Sequence, residues 1–375
     1  MYKQLDYLRE SVDMPLNATY RIDLPKTGML SSMLVKVSAN CTSGATLAGG
    51  AWRLLDFLGK LEIIVNGATV VKSCDVTDLH FLSWLHQGIV PPHFWRNYAT
   101  NTQFEYFLVN FGRYLGDPEY GLDLSRYNSA ELRLTNSATA TNYSTDITLS
   151  MLNVYMRDMN GSFKGYLRSE EWRKWTTVQA ATEYNILPTE YPISLIALSA
   201  VPHATLGMFD TNGQNLMDTI LLSKGGGVKQ MYQGGYDDLM VTNYLDRGAE
   251  VITSGIADLT ADRGIQTSIQ RMFGFAGISG SKDGAVSAVI PTMIADATDG
   301  AISFEAREAD SPVEFTVRGM GFMNYAWLVN DPDLDPAGLL DPKVDGECRL
   351  DITTRDAATA AAGTNKILLE RLVSG

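Results

Sequence analysis

The sequence predicts an all-β chain of two jelly-roll β-sandwich barrels with a few short helices. Three observations point there. Short runs alternate apolar and polar residues with the period of half-buried strands, separated by Gly, Pro and Asn turn signals. Strict strand–helix alternation is missing, which argues against a parallel α/β sheet. One unit also occurs twice. Ile63-Ile64-Val65-Asn66-Gly67-Ala68-Thr69-Val70-Val71-Lys72 precedes Asp78-Leu79, and Ile220-Leu221-Leu222-Ser223-Lys224-Gly225-Gly226-Gly227-Val228-Lys229 precedes Asp238-Leu239. Each copy reads as an apolar strand, a glycine turn, a Val-Lys step and an Asp-Leu pair opening an apolar segment. About eight strand signals fall in each half, the number a jelly roll uses.

Taken in order, residues 1–12 are predicted as a short amphipathic helix with Leu5, Leu8 and Val12 on one stripe. Strands follow at Tyr20/Ile22/Leu24, Met33/Val35/Val37 and Leu61/Ile63/Val65. Asn66-Gly67 supplies the positive φ angles of a tight hairpin, and Thr69–Val71 returns from it. A helix is then expected, capped by Asp75 or Asp78, striped by Leu79, Leu82 and Leu85, and stopped by Gly88 and Pro91-Pro92. Phe104/Tyr106/Leu108, Leu132/Leu134 and Ile147/Leu149/Met151 read as strands. In the last of these the apolar parity shifts to Leu152, Val154 and Met156, the mark of a bulge or of burial on both faces.

The charged stretch 157–174 reads as a domain boundary. This divides the chain into an N-terminal helix or arm (1–15), a first jelly roll (16–160) and a second (161–375). Strands in the second half are expected at 176–186, 193–198, 217–222, 301–307, 313–317, 322–329, 349–353 and 366–372. Helices are expected near 239–245 and 259–273, and glycine-rich loops at 225–227, 274–284 and 319–321.

The chain has 375 residues, enough for two cores, and its formal charge of −13 argues against a surface that coats nucleic acid. Cys41, Cys74 and Cys348 have no CxxC spacing and an odd count, so no disulfide framework is expected. No apolar run approaches the ~20 residues of a membrane span. Lys3, Asp6, Arg9 and Glu10 break any signal-peptide pattern, so the chain is expected to fold in the cytoplasm. In that setting the sequons at Asn17, Asn40 and Asn142 carry little weight.

No catalytic motif emerges. His80, His86, His93 and His203 lack HExxH spacing, and His80 and His86 are expected on the polar edge of their helix. Gly277–Ser281 misses the final glycine of a GxSxG elbow, and Gly225–Lys229 lacks Walker A spacing. Asp331, Asp333 and Asp335 match the first three ligand positions of an EF-hand, but Pro336 and Pro342 stand where Gly and Glu are required. The three are therefore candidates only for a looser calcium site. Trp95 and Tyr98 fit either a sugar groove or a subunit interface.

The segment from Phe104 to Leu134 carries a family likeness. Its Phe111-Gly112-Arg113, Leu122-Asp123-Leu124 and Leu132-Arg133-Leu134 steps resemble, in order and spacing, the first barrel of double jelly-roll major capsid proteins of tailless icosahedral viruses related to tectiviruses and adenoviruses. The likeness covers about residues 55–158. It implies a virion shell protein, made in the host cytoplasm, that assembles as a homotrimer of six similar barrels. The implied partners are neighbouring trimers, vertex and minor capsid proteins, and in some such viruses an internal membrane. No sequence-specific nucleic-acid binding, cofactor or catalytic set is implied. By the same resemblance Leu5, Leu8 and Val12 would contact the inner face of the shell or a membrane, with packing beneath their own barrel as the alternative. A carbohydrate-binding or glycoside-hydrolase β-sandwich, or a minor capsid or spike protein on the same scaffold, stays open as an alternative.

Overall fold

The computed structural model describes residues 1–40, 54–97, 102–139, 146–159, 161–201, 216–247, 251–259, 278–282, 292–296, 301–305, 311–319, 321–322, 325–356 and 363–375. The first barrel comprises β1 (Tyr2–Met14), β2 (Ala18–Asp23), β3 (Met29–Asn40), β4 (Leu58–Val65), β5 (Thr69–Asp75), α1 (Val76–Gln87), β6 (His93–Asn97), β7 (Thr102–Asn110), β8 (Leu122–Asp123), β9 (Ala130–Asn136) and β10 (Ile147–Arg157). Two sheets face each other, in the orders β1-β10-β3-β7 and β2-β9-β4-β5. Met33, Val35, Val37, Leu149 and Met151 point inward from one, and Leu61, Ile63, Val65, Leu132 and Leu134 from the other. All ten are fully buried.

The chain then repeats itself with β11 (Gly165–Thr176), β12 (Thr182–Ile186), β13 (Ile193–Val201), β14 (Met217–Lys224), β15 (Lys229–Gly234) and α2 (Tyr236–Arg247). An excursion carries β16 (Val251–Leu259), β17 (Ile278–Lys282), β18 (Thr292–Asp296), β19 (Ala301–Glu305) and β20 (Ser311–Gly319). The barrel is completed by β21 (Tyr325–Asn330), the short α3 (Pro342–Asp345), β22 (Arg349–Thr354) and β23 (Thr364–Ser374). Its sheets run β11-β23-β13-β21 and β12-β22-β14-β15, strand for strand the topology of the first barrel.

The barrels share sheets. Parallel pairing of Lys72 with Ser169 and Ser73 with Glu170 joins β5 to β11, giving one eight-stranded sheet. A second parallel contact, β6 with β16, ties the excursion to the first barrel.

The repeated motif is a hairpin followed by a helix in both barrels. Asn66 (φ 52°) and Gly67 (φ 72°) turn the first hairpin, and three successive positive-φ glycines, Gly225–Gly227, turn the second. Asp78 and Asp238 are both third residues of twelve-residue helices. Asp78 Oδ2 accepts from Asp75 N at 3.0 Å and Asp238 Oδ2 from Gly235 N at 3.4 Å, each satisfying an N–H that the helix leaves bare. The lysines are not equivalent. Each hairpin carries a bulge, next to Ile63 opposite Lys72 and next to Leu222 opposite Tyr232, so Lys72 corresponds to Tyr232 and not to Lys229.

Three expectations are corrected. Residues 2–12 of the segment expected to be helical belong to strand β1, which pairs antiparallel with β10 from Tyr2↔Arg157 to Met14↔Ile147. Register shifts at Tyr7/Arg9 and Arg9/Val12 reset the strand's parity, so a bulged strand produced the three-to-four-residue spacing. An isolated twelve-residue helix is marginal, and a long backbone ladder outweighs it. The charged stretch is mostly strand: only 158–164 links the barrels, and 165–176 is β11. Leu259 ends strand β16 rather than opening a helix, and 260–273 lie outside the described residues.

In β10 the parity shift has both expected causes. The register with β3 slips between Val154 and Tyr155, and Val154, Tyr155 and Met156 are all buried.

Candidate functional site: the seam between the barrels

The β11-β23-β13-β21 sheet is covered on both faces. Ile196, Leu198, Ile367 and Leu369 point into the second barrel's own core, while Leu195, Ala197, Leu368 and Trp327 join the first barrel's core. Burial on both sides explains why Ile193–Ala200 is buried throughout and its apolar residues do not alternate.

Helix α1 is the wedge between the barrels, buried from Val76 to Leu85 apart from Thr77. Phe81 stacks on Tyr325 at 4.2 Å between ring centroids, and Trp84 on Phe322 at 5.5 Å, with Trp327 at 6.0 Å. Ser83 Oγ accepts from Leu108 N at 2.7 Å and lies 3.2 Å from Leu108 O, fastening the helix to β7. At its C-terminus Arg247 donates to Leu85 O (2.8 Å) and Trp84 O (3.0 Å) and lies over the Trp84 ring, so a cation meets the negative end of the helix.

Two buried ionic clusters cross the seam. In the first, Lys72 Nζ donates to Ser169 Oγ at 2.6 Å, Ser169 Oγ donates to Glu370, and Glu370 Oε2 lies 2.8 Å from His86 Nε2. Burial alone would raise the Glu370 carboxyl, but His86, Lys72 and Ser169 hold it down at about 2. Burial pulls Lys72 below its ordinary value, against the attraction of Glu370.

In the second, Lys366 Nζ meets Asp75 (2.5 Å), Glu171 (3.1 Å) and Asp78 (3.2 Å), and Tyr325 donates to Asp78. Burial opposes the Lys366 charge, yet Asp78, Tyr325, Asp75 and Glu171 raise its pKa above the ordinary value. Burial would also raise Asp75, but Lys366 and Lys174 hold it at about 2. Among the described residues, Asp75, Asp78 and Glu171 form the one group with metal-ligand spacing, and the Lys366 ammonium occupies the place a cation would take. Clefts of roughly 380 Å³ and 200 Å³ open at the N- and C-terminal ends of α1, both lined by mixed charges.

The candidates read from the sequence fall mostly elsewhere. Asp331, Asp333 and Asp335 are not brought together as ligands: Asp331 Oδ1 accepts from Asp333 N and Asp335 Oδ1 from Ala337 N, the local bonds of an acidic turn. Leu5 is 62% exposed, whereas Leu8 and Val12 are half-buried and Leu8 packs on the core, so the three form no common stripe. His80 and His86 lie in the seam rather than on a polar edge, His80 edge-on to Phe322. Trp95 lies in β6, and Tyr98, Cys41, Asn142 and His203 are outside the described residues. Sequence reasoning missed Ser169, Glu171, Lys366 and Glu370. The available signal was charge inside an apolar strand, Lys366-Ile-Leu-Leu-Glu370-Arg371-Leu372, where each buried charge requires a partner.

No helix among the described residues is long and apolar enough to cross a membrane. No family model matches the chain, and no curated protein matches it significantly. Solved structures do. The crystal structure of the STIV MCP covers 100% of this chain and 97% of its own, at 8% identity and a TM-score of 0.59. A chain in the atomic structure of Sulfolobus Turreted Icosahedral Virus covers 99% and 91%, at 9% identity and a TM-score of 0.60. One in the PBCV-1 virus capsid covers 99% and 93%, at 10% identity and a TM-score of 0.55. These are double jelly-roll major capsid proteins, and the chain described here has their fold.

Proposed function

We propose that this chain is a viral major capsid protein without enzymatic activity. It forms a homotrimer whose six barrels make a near-hexagonal block that tiles an icosahedral shell. The observation that carries the reading is the fusion of two barrels of identical topology through one continuous sheet and a largely buried helix. Such a pair is a rigid two-lobed brick, and three related by a closed rotation present six similar lobes. The capsid origin of the similar structures supports the same reading. Its partners are then its own copies, neighbouring trimers, and vertex and minor capsid proteins, and its location is the virion. The net charge of −13 suits a shell that does not coat its genome directly. Native mass spectrometry of the purified chain is expected to give three chains per particle, and electron microscopy of isolated virions a shell made chiefly of this protein. A monomer absent from every particle would overturn the reading.

A further inference from the structure

We infer that each copy buries the Val241–Tyr244–Leu245 face of α2 against the outer face of the next copy's β1-β10-β3-β7 sheet, repeating between chains the contact that α1 makes within one chain. The inference rests on the trimeric reading above and names the surface that builds it.

The two helices have the same length, and the third-position Asp of each accepts from the backbone N–H before the helix, so positions correspond at an offset of 160. Asn243 corresponds to Ser83 and does the same work: its side chain accepts from Trp327 N at 2.8 Å and donates to Trp327 O at 2.9 Å, as Ser83 engages Leu108. Leu108 is therefore the counterpart of Trp327, and Tyr106 of Tyr325.

On α1, Phe81, Trp84 and Leu85 are buried against the second barrel. Their counterparts on α2 are Val241 (38% exposed), half-buried Tyr244 and Leu245 (71% exposed). The receiving sheets match too. Under α1 lies the cross-strand row Leu368–Ala197–Trp327, at most 6% exposed. The corresponding row on the first barrel is Leu152–Leu34–Leu108, extended by Tyr7 at the place where the second barrel has Glu171. There Tyr7 is 53% exposed and Leu152 and Leu34 are half-covered. One chain thus holds an apolar helix face and an apolar sheet row whose partners in the repeat are buried together.

Charge agrees. Asp238 is the counterpart of Asp78, which accepts from Tyr325. On the next copy Tyr106 stands in that place with Lys36 Nζ 5.8 Å from its ring. The same step lays the end strand β15 beside the end strand β1 of the next copy, as β5 lies beside β11. Among the described residues both are terminal in their sheets, and Met231 on β15 is 44% exposed. A contact that joins two different surfaces closes into a ring when its rotation divides the circle.

The test uses the full chain. Val241→Asp with Leu245→Asp is expected to shift the native mass from about three times 41.1 kDa to 41.1 kDa while leaving near-UV circular dichroism unchanged. Separately, Leu245→Cys combined with Leu152→Cys is expected to give, on oxidation, disulfide-linked dimers and trimers that neither single variant gives. A Val241→Asp/Leu245→Asp protein that stays trimeric, with no cross-link in the double-cysteine chain, overturns this interface and leaves the capsid reading standing. A wild-type chain that is monomeric and enters no particle overturns both.

Discussion

The two barrels share one topology, yet they bury their outer sheets and their helices differently. In the second barrel the β11-β23-β13-β21 sheet is covered on both faces. In the first, the outer face of β1-β10-β3-β7 keeps Leu5 and Tyr7 more than half exposed. α1 is buried almost all round, whereas α2 buries only Tyr236, Leu239, Met240 and Asn243. A repeated unit therefore carries two surfaces that meet once inside the chain and are left over once at its ends. The difference teaches that the seam is not a property of either barrel alone; it arises from the step between them.

The largest expected effect breaks the seam at its buried charges. Glu370→Ala leaves Lys72, Ser169 and His86 facing one another in a dry site. Removing one partner of such a pair typically costs about 3–5 kcal/mol. Replacing Glu370 by Leu and Lys72 by Met together should recover most of that loss, since apolar groups carry no desolvation penalty. Denaturant midpoints of the three proteins measure it. A single variant as stable as the parent would show that the cluster is solvated and the seam is held by packing alone.

Aromatic packing gives the next contrast. Trp84→Ala empties a stacked site against Phe322 and Trp327 and is expected to cost about 3–5 kcal/mol within one chain. Tyr244→Ala, its counterpart on α2, should change the stability of the isolated chain far less and instead lower trimer yield. Equal losses in both variants would mean that α2 already has its partner inside the chain.

How much of this was legible in the sequence follows from the distance between interacting residues. The hairpin–helix repeat could be read because Asn66-Gly67, Gly225–Gly227 and the capping Asp78 and Asp238 act on their immediate neighbours. The seam could not: His86 and Glu370 are 284 residues apart, and nothing local marks them as partners. For the same reason Glu170 falls within the charged stretch read as a domain boundary, although its partner Arg371 lies 201 residues away on β23. β1 was misread because its three apolar residues satisfy a helical spacing, while its true partner, β10, lies at the far end of the barrel sequence.

Acid sharpens the comparison further, because Glu370 and Asp75, the most strongly depressed carboxylates among the described residues, sit in the seam. Glu370 titrates at about 2 in the fold against an ordinary 4.5, and Asp75 at about 2 against 3.8. As pH falls through those ordinary values the unfolded chain takes up protons first. Stability that is full above about pH 5 is then lost progressively towards pH 2. For Glu370 alone the loss is on the order of 3 kcal/mol. Thermal melts between pH 6 and 3 should fall steeply for the parent and more gently for the Glu370→Leu/Lys72→Met chain. Parallel curves would place the acid-sensitive groups outside the seam.

The smallest effect is the one in which the barrels should agree. Gly67 and Gly226 both hold φ near 70°, and a β-carbon on either would meet nothing within 4 Å. Substitution by alanine therefore exerts only the backbone penalty of the left-handed region, about 1 kcal/mol. Since both hairpins are local and far from the charges of the seam, Gly67→Ala and Gly226→Ala should shift the denaturation midpoint by the same amount in parent and seam-broken chains alike. If Gly226→Ala proved costly only in the trimer, the β14–β15 turn would itself lie against the next copy, and the interface would extend beyond α2 and the edge of β15.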